Sequence, residues 1–395
     1  MDLRYSDQDE AFRAEVRAWF EGAVPEHGPP PPPGDWAARR RYDTAWQRKL
    51  YDGGYAGLAW PTDAGGRGLP ITQQLVYLEE YARADAPYIS VNFVGLMHAG
   101  PTLIHEGSPA QRALHLPRIL RGDDVWCQGF SEPSAGSDLA SLRTAARREG
   151  DHYVVSGQKI WSTRAHVADW CELLVRTHPE APKHRGITWL ILDMDQPGVE
   201  VRSMRTIDGD DHFCELFLDG ARVPVGNRVG AENDGWRVAN VTLRFERGTA
   251  FAQHIISMRS QLRGLVALAR GRPRLPGAAW DDPALRRTIG RLDAHVVGLW
   301  RMTQMCATEA EHTGVPSPLG SAIKLRYSEL AQEIAELGMR IVGRPVVGLA
   351  DFDGIPTSEV VHQHLSSLQF TIAAGTSQIQ RNLVAERILG MPKGS

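Results

Sequence analysis

A chain of 395 residues is long enough for two or three domains, each with its own core. Its 42% hydrophobic and 23% charged content is that of a soluble globular protein. A net charge of −3 gives no case for nucleic acid, no run of Lys/Arg suggests an anionic membrane surface, and no stretch reaches the roughly 18 uninterrupted apolar residues of a membrane span. Met1–Tyr5 lacks the apolar core of a signal peptide. Cys127, Cys171, Cys214 and Cys306 are too far apart for paired zinc or redox chemistry. They read as small core residues in a reducing compartment, so the expected location is cytoplasmic.

Residues 6–122 read mostly as helices. Phe12, Val16 and Phe20 recur every four residues behind Asp7 and Asp9. The proline-rich run from Gly28 to Gly34 interrupts them as an extended surface loop. Helical patterns resume over 37–51 and 71–84, and the glycines at 65, 66 and 68 between them follow no strand, which argues against a dinucleotide fold.

From about 123 to 225 the period changes to two. Residues 152–156, 172–176, 186–192, 198–202 and 213–218 read as short strands, divided by turn clusters such as Glu149-Gly150-Asp151. Strands without intervening helices indicate an antiparallel barrel or sandwich. Helical periodicity returns at Gly235. Phe251, Ile255, Leu262 and Val266 form one stripe; Ile289, Leu292, Val296 and Leu299 form a second. Ile323, Leu330, Ile334, Leu337 and Ile341 form a third, and the three together predict an antiparallel bundle.

Two stretches of the middle region stand out. The loop Ser131-Glu132-Pro133-Ser134-Ala135-Gly136-Ser137-Asp138 is built of small residues that let backbone N–H groups approach a polar ligand. Some thirty residues on, Gly157-Gln158-Lys159-Ile160-Trp161-Ser162-Thr163 sets an indole beside two hydroxyls, which suits a flat heteroaromatic ring with polar edges. On spacing alone the favoured reading is a hairpin that has an exposed turn and a core Trp. His362-Gln363-His364 has no carboxylate or Cys companion at metal-ligand spacing. No Gly-x-Ser-x-Gly turn supports a serine hydrolase.

These two stretches, with Gly375-Thr376-Ser377-Gln378-Ile379-Gln380-Arg381 near the end, resemble the signatures of the flavin-dependent acyl-CoA dehydrogenase family, in its order and spacing. The likeness covers nearly the whole chain, and the wording Trp126-Cys127-Gln128-Gly129-Phe130 is most similar to actinobacterial members. The resemblance implies a multidomain α+β fold: an N-terminal helical domain (1–122), a middle antiparallel β-barrel domain (123–230) and a C-terminal four-helix bundle (231–395). It implies FAD, with Gln128, Phe130, Ser131, Gly136, Ser137, Trp161, Thr163, Thr376 and Gln378 on the cofactor. Ser137, Arg247, Ala374 and Gly375 would face an acyl-CoA substrate. The implied reaction removes an α-proton and a β-hydride to leave a trans-2-enoyl-CoA, with electrons passed to an electron-transfer flavoprotein. The implied assembly is a dimer of dimers, as a homotetramer or as a heterotetramer with a related chain.

Two departures from the family pattern matter. Many members carry the base just before the Gly-Thr-Ser-Gln segment, where this chain has Ala373-Ala374. A minority branch carries it in the first long helix of the bundle, just before an Arg, and here Glu246-Arg247 stands at that point. Counted by 3.6, Glu246 shares a face with Thr249, Ala250, Gln253 and Ser257. Without the resemblance Glu246-Arg247 reads as a solvated ion pair. The second departure is at 270–277, where the family's Arg-x-x-Phe-Gly contact to FAD becomes Arg270-Gly271-Arg272-Pro273-Arg274. Arg340, or one of Arg270, Arg272 and Arg274, would replace the missing charge. Two other readings therefore stay open: a non-catalytic or half-site subunit of a hetero-oligomer, and a flavin monooxygenase on the same fold.

Overall fold

The computed structural model describes residues 5–246, 252–271, 280–313, 317–348, 350–351, 354 and 356–392. The helices are α1 (Asp7–His27), α2 (Trp36–Asp52), α3 (Ile71–Arg83), α4 (Gly100–Glu106) and α5 (Pro109–Arg121), followed after the strands by α6 (Gly235–Glu246), α7 (Ala252–Arg270), α8 (Pro283–Thr313), α9 (Leu319–Val342), α10 (Thr357–Ser367) and α11 (Ser377–Arg387). Between them lie β1 (Trp126–Gly129), β2 (Ala145–Glu149), β3 (His152–Thr163), β4 (Trp170–Arg176), β5 (Ile187–Asp193), β6 (Val199–Met204), β7 (Phe213–Pro224) and β8 (Arg228–Val229). The chain forms two compact units, one from Ala18–Pro70 and Asp85–Glu246, the other from Met1–Arg17, Ile71–Ala84 and Arg247–Ser395.

The first unit sets helices against a sheet ordered β6-β7-β3-β2-β4-β5-β8, with β1 beside β4. Its central strands are covered on both faces, which is why they read as nearly unbroken apolar runs. Leu174, Ile187, Trp189 and Ile191 join the helix-side core with Trp126, Phe130, Leu103 and Ile119. Leu173, Val175, Leu190 and Leu192 face a second core with Tyr153, Val155 and Leu216. The sheet is not purely antiparallel: β1 runs parallel to β4, pairing Gln128 with Glu172, and β2 meets β4 in parallel at Ala145 and Arg176. β2 itself reads Ala-Ala-Arg-Arg-Glu and buries only Ala146, so no alternation announced it.

Local sequence explains how β1 is delivered. Ser108 and Gln111 form a reciprocal capping box at the start of α5, with Pro109 in the first turn. Gly122, at φ +72°, ends the helix in the left-handed conformation. The preceding turn, Gly95–Ala99, is a π-helix, a form that often marks functional segments. It runs into Gly100, where a Cβ would sit 2.2 Å from the Trp60 ring.

The second unit is a helical bundle. Its core takes Ile255 and Leu262 from α7, Leu292, Val296 and Leu299 from α8, and Leu330, Ile334, Leu337 and Ile341 from α9. The stripes read from the sequence are thus the buried faces, except that Phe251 lies outside the described residues and Val266 is only partly buried. No helix among the described residues is long and apolar enough to cross a membrane.

Candidate active site

The two signature stretches of the middle region are bolted together by a buried ion pair. Lys159, on β3 and 0% exposed, donates to Glu132 Oε1 at 2.9 Å and to the Phe130 carbonyl at 3.2 Å. Glu132 also accepts from the backbone N–H groups of Arg143 (2.7 Å) and Thr144 (2.8 Å). Ile160 N–H donates to the Ser131 carbonyl at 2.9 Å. With the pair beneath it, the loop turns tightly between Glu132 and Ala135 and leaves Ser134, Gly136 and Ser137 exposed, with Ser131 half-buried.

One residue past Lys159, β3 bulges. Its register against β7 slips between Lys159 and Ser162, and Trp161 adopts φ +63°. Strict alternation from Tyr153 and Val155 would turn the indole inward. The bulge turns it out instead, 53% exposed, with its edge to Phe213 at 5.6 Å and with Thr163 half-buried at the strand end. A bulky residue held outward in left-handed backbone, beside hydroxyl residues, fits a planar ring with polar edges. Gly136 fits too: a Cβ there would meet nothing within 4 Å, so no packing within the described protein calls for glycine.

The C-terminal signature opens α11 in the second unit. Thr376 caps that helix, its hydroxyl accepting from Ile379 N–H at 3.2 Å. The residues before it are held by two buried side chains that sequence reasoning missed. Lys324 of α9 donates to the carbonyls of Phe370 (2.9 Å) and Gly375 (2.7 Å). Gln380 donates to the Ala374 carbonyl at 3.0 Å. Ala374 is thereby kept at φ +55°, rare for a residue with a Cβ, and Gly375 follows at +81°. Ala374 is half-buried; Gly375 and Gln378 are exposed. A lone Lys or Gln on an amphipathic helix reads as solvated, and Lys324 lies about 90° round α9 from the stripe of Ile323, Leu330 and Ile334, so the period does not mark it. Lys324→Met would strip the Phe370 carbonyl of its donor and leave the Gly375 carbonyl only the 3.5 Å contact from Gln380, and unfolding by denaturant should show a loss of about 1–3 kcal/mol.

Glu246 is the last residue of α6. That helix begins at Gly235, where a Cβ would lie 2.6 Å from the Thr188 backbone, and a buried Thr102–Thr242 hydroxyl contact of 2.7 Å ties it to α4. The Glu246 side chain and Arg247 lie outside the described residues, as do Thr249 and Ala250. The single continuous helix assumed in counting by 3.6 therefore has its join outside them, between α6 and α7. Among the candidate replacement arginines, Arg340 is exposed in the last turn of α9, and Arg270 lies over the Trp280 ring at 4.5 Å. Arg272 and Arg274 fall outside the described residues.

Three family models match: the acyl-CoA dehydrogenase N-terminal domain over 6–123, the middle domain over 127–221 and the C-terminal domain over 233–389. The acyl-CoA dehydrogenase IpdE1 of Mycobacterium tuberculosis is 40% identical over 394 residues, covering 97% of this chain and 98% of that protein. Among solved structures, the Tcur3481-Tcur3483 steroid ACAD is 31% identical with a TM-score of 0.84, covering 100% of both chains. The ChsE4-ChsE5 complex from Mycobacterium tuberculosis is 32% identical, also with a TM-score of 0.84 over 100% of both chains. FAD is the cofactor of such enzymes, and the loop and bulge described above have the form to receive its ring. The chain belongs to the acyl-CoA dehydrogenase family, as an oxidoreductase of the actinobacterial type acting on acyl-CoA.

Proposed function

We propose that this chain dehydrogenates a CoA thioester at its α,β-bond to the trans-2-enoyl-CoA, with Glu246 as the base, and works beside a related second chain. The loop at Ala373-Ala374 carries the assignment. Its backbone is held open by Lys324 and Gln380, so the Ala374 N–H is free of helix duty and suited to polarise a thioester oxygen, yet neither residue can take a proton. The proton acceptor must come from elsewhere, and Glu246 ends a helix anchored at both Gly235 and Thr242. Arg247 would supply positive charge to the CoA portion.

FAD, when bound, supplies the hydride acceptor. Gln128, Phe130, Ser131, Gly136, Ser137, Trp161 and Thr163 would hold its ring, joined by Thr376 and Gln378. Arg340, or one of Arg270, Arg272 and Arg274, would meet its phosphates in place of the family's Arg-x-x-Phe-Gly. Electrons would pass on to an electron-transfer flavoprotein.

Two similar solved structures pair two chains, which supports a partner chain here, and the altered 270–277 stretch is the reason to expect fewer than one FAD per chain. One of them is described as a steroid ACAD, so a steroid-derived acyl group is the substrate class to test first. The protein, co-expressed with a related chain, is expected to carry FAD whose visible absorbance is bleached anaerobically by such an acyl-CoA. Absence of FAD from every correctly assembled preparation would overturn the reading, and one FAD per chain in the isolated protein would overturn the shared-site form of it.

A further inference from the structure

Behind Gln128 lies a cluster that the reading above does not use. Gln128 is the one partly exposed residue of β1. Its parallel partner on β4 is Glu172, which is 0% exposed on a strand whose other buried residues are Cys171, Leu173, Leu174 and Val175. Gln128 Nε2 donates to Glu172 Oε1 at 2.7 Å. The π-helix Gly95–Ala99 brings in His98, 5% exposed, with Nδ1 3.2 Å from Gln128 Nε2 and 3.3 Å from Glu172 Oε1. Phe93 closes the side, its ring centroid 5.2 Å from that of His98.

This arrangement fixes which way the amide points. Gln128 Nε2 is the atom that faces Glu172 Oε1, so the NH2 end of the amide donates to the carboxyl oxygen. His98 Nδ1 then either takes the second amide hydrogen or donates to the same carboxylate oxygen; neither choice turns the amide round. The Gln128 oxygen is left on the partly exposed side, and no described residue donates to it.

We infer that Glu172 and His98 hold Gln128 as a fixed hydrogen-bond acceptor, presented to an N–H or O–H group of the bound ligand. Two donors are available in a flavin-dependent acyl-CoA enzyme: the ring N–H of the flavin pyrimidine edge, or a hydroxyl on the acyl group. The inference rests on the flavoenzyme reading and adds a polarity to it: the site selects a donor at this point and rejects an acceptor such as a keto oxygen. Gln128 is then a specificity-determining residue, and Glu172 and His98 are positioning residues.

The test uses the full chain, assembled with its partner where one is required, and two probe pairs. The first is FAD against N3-methyl-FAD, which lacks the ring donor. The second is hydroxycyclohexanecarbonyl-CoA against cyclohexanecarbonyl-CoA, titrated calorimetrically. The wild type should favour the donor-bearing member of one pair by about tenfold, the effect of one buried hydrogen bond. Gln128→Leu, similar in size, removes the acceptor. Glu172→Gln, close in shape, frees the amide to flip. Both should cut the preference in the same pair severalfold, and which pair responds identifies the donor. Unchanged ratios in both pairs, with or without a drop in Tm, would mean the cluster is core packing and overturn the inference. If the wild type takes up no FAD, the flavoenzyme reading fails on its own, and the acyl-CoA pair, measured on flavin-free protein, still decides the role of Gln128.

Discussion

Glu246→Gln is expected to leave FAD bound and to slow dehydrogenation at least ~100-fold, the lower end for losing general-base catalysis. The substitution keeps shape and hydrogen bonding and removes only the proton acceptor. Single-turnover reduction of the flavin by acyl-CoA reads this step without interference from later electron transfer. Ala374→Glu in the same chain should return part of the lost rate. Position 374 already holds a residue with a Cβ at φ +55°, so a longer side chain adds little backbone strain there. If Glu246 were a solvated ion pair, Glu246→Gln would shift stability by less than about 1 kcal/mol and leave the rate intact. A folded, FAD-bound variant working at wild-type rate on its true substrate would assign the proton to another acid, and the partner chain would be the place to seek it.

Lys159→Met is expected to produce the largest loss of stability, about 3–5 kcal/mol, because it leaves Glu132 buried and charged without its partner. Equilibrium unfolding in urea, followed by tryptophan fluorescence, measures it. The double variant Lys159→Met/Glu132→Gln should recover much of the loss, since no uncompensated charge remains. Equal losses in the single and double variants would show that packing around the Lys159 chain, not charge pairing, holds the loop. The pH dependence follows. Burial alone would raise the Glu132 carboxyl, but the Lys159 charge and the Thr144 donors outweigh it and hold the group below its ordinary value of 4.5. Its contribution to stability is therefore complete above that value and lost as pH falls toward the lowered one. Glu132→Gln should flatten that part of the acid-denaturation curve, with Ser131–Ser137 loosening first.

The helical stripes were legible because each buries one face on a 3.6 period: Leu292, Val296 and Leu299 could hardly point elsewhere. The doubly covered strands β4 and β5 were legible as apolar runs. β2 was not, since four of its five residues face outward and its register comes only from β3 and β4. The site residues were legible through resemblance more than through physics. Lys159 stands in phase with Tyr153 and Val155, so alternation alone marks it as inward, and Glu132 is the one acid within Ser131–Ser137 that can meet it. That pairing was available in the sequence. The outward swing of Trp161 was not, because a bulge is set by two strands at once. Glu172 was hidden for a different reason: a single acid in an apolar strand is legible as odd, but its partners lie 44 and 74 residues away.

Trp161 and Ala374 are both held in left-handed backbone that glycine would adopt freely. Each stores about 1–3 kcal/mol of conformational energy. A programme to raise the melting temperature would be drawn to these positions first, and glycine there would relax the chain. At 161 it would also remove the outward indole that shapes the proposed ligand contact, while the amide at 374 would stay held by Lys324 and Gln380. At 161, stabilising this protein and keeping its chemistry are thus opposing aims.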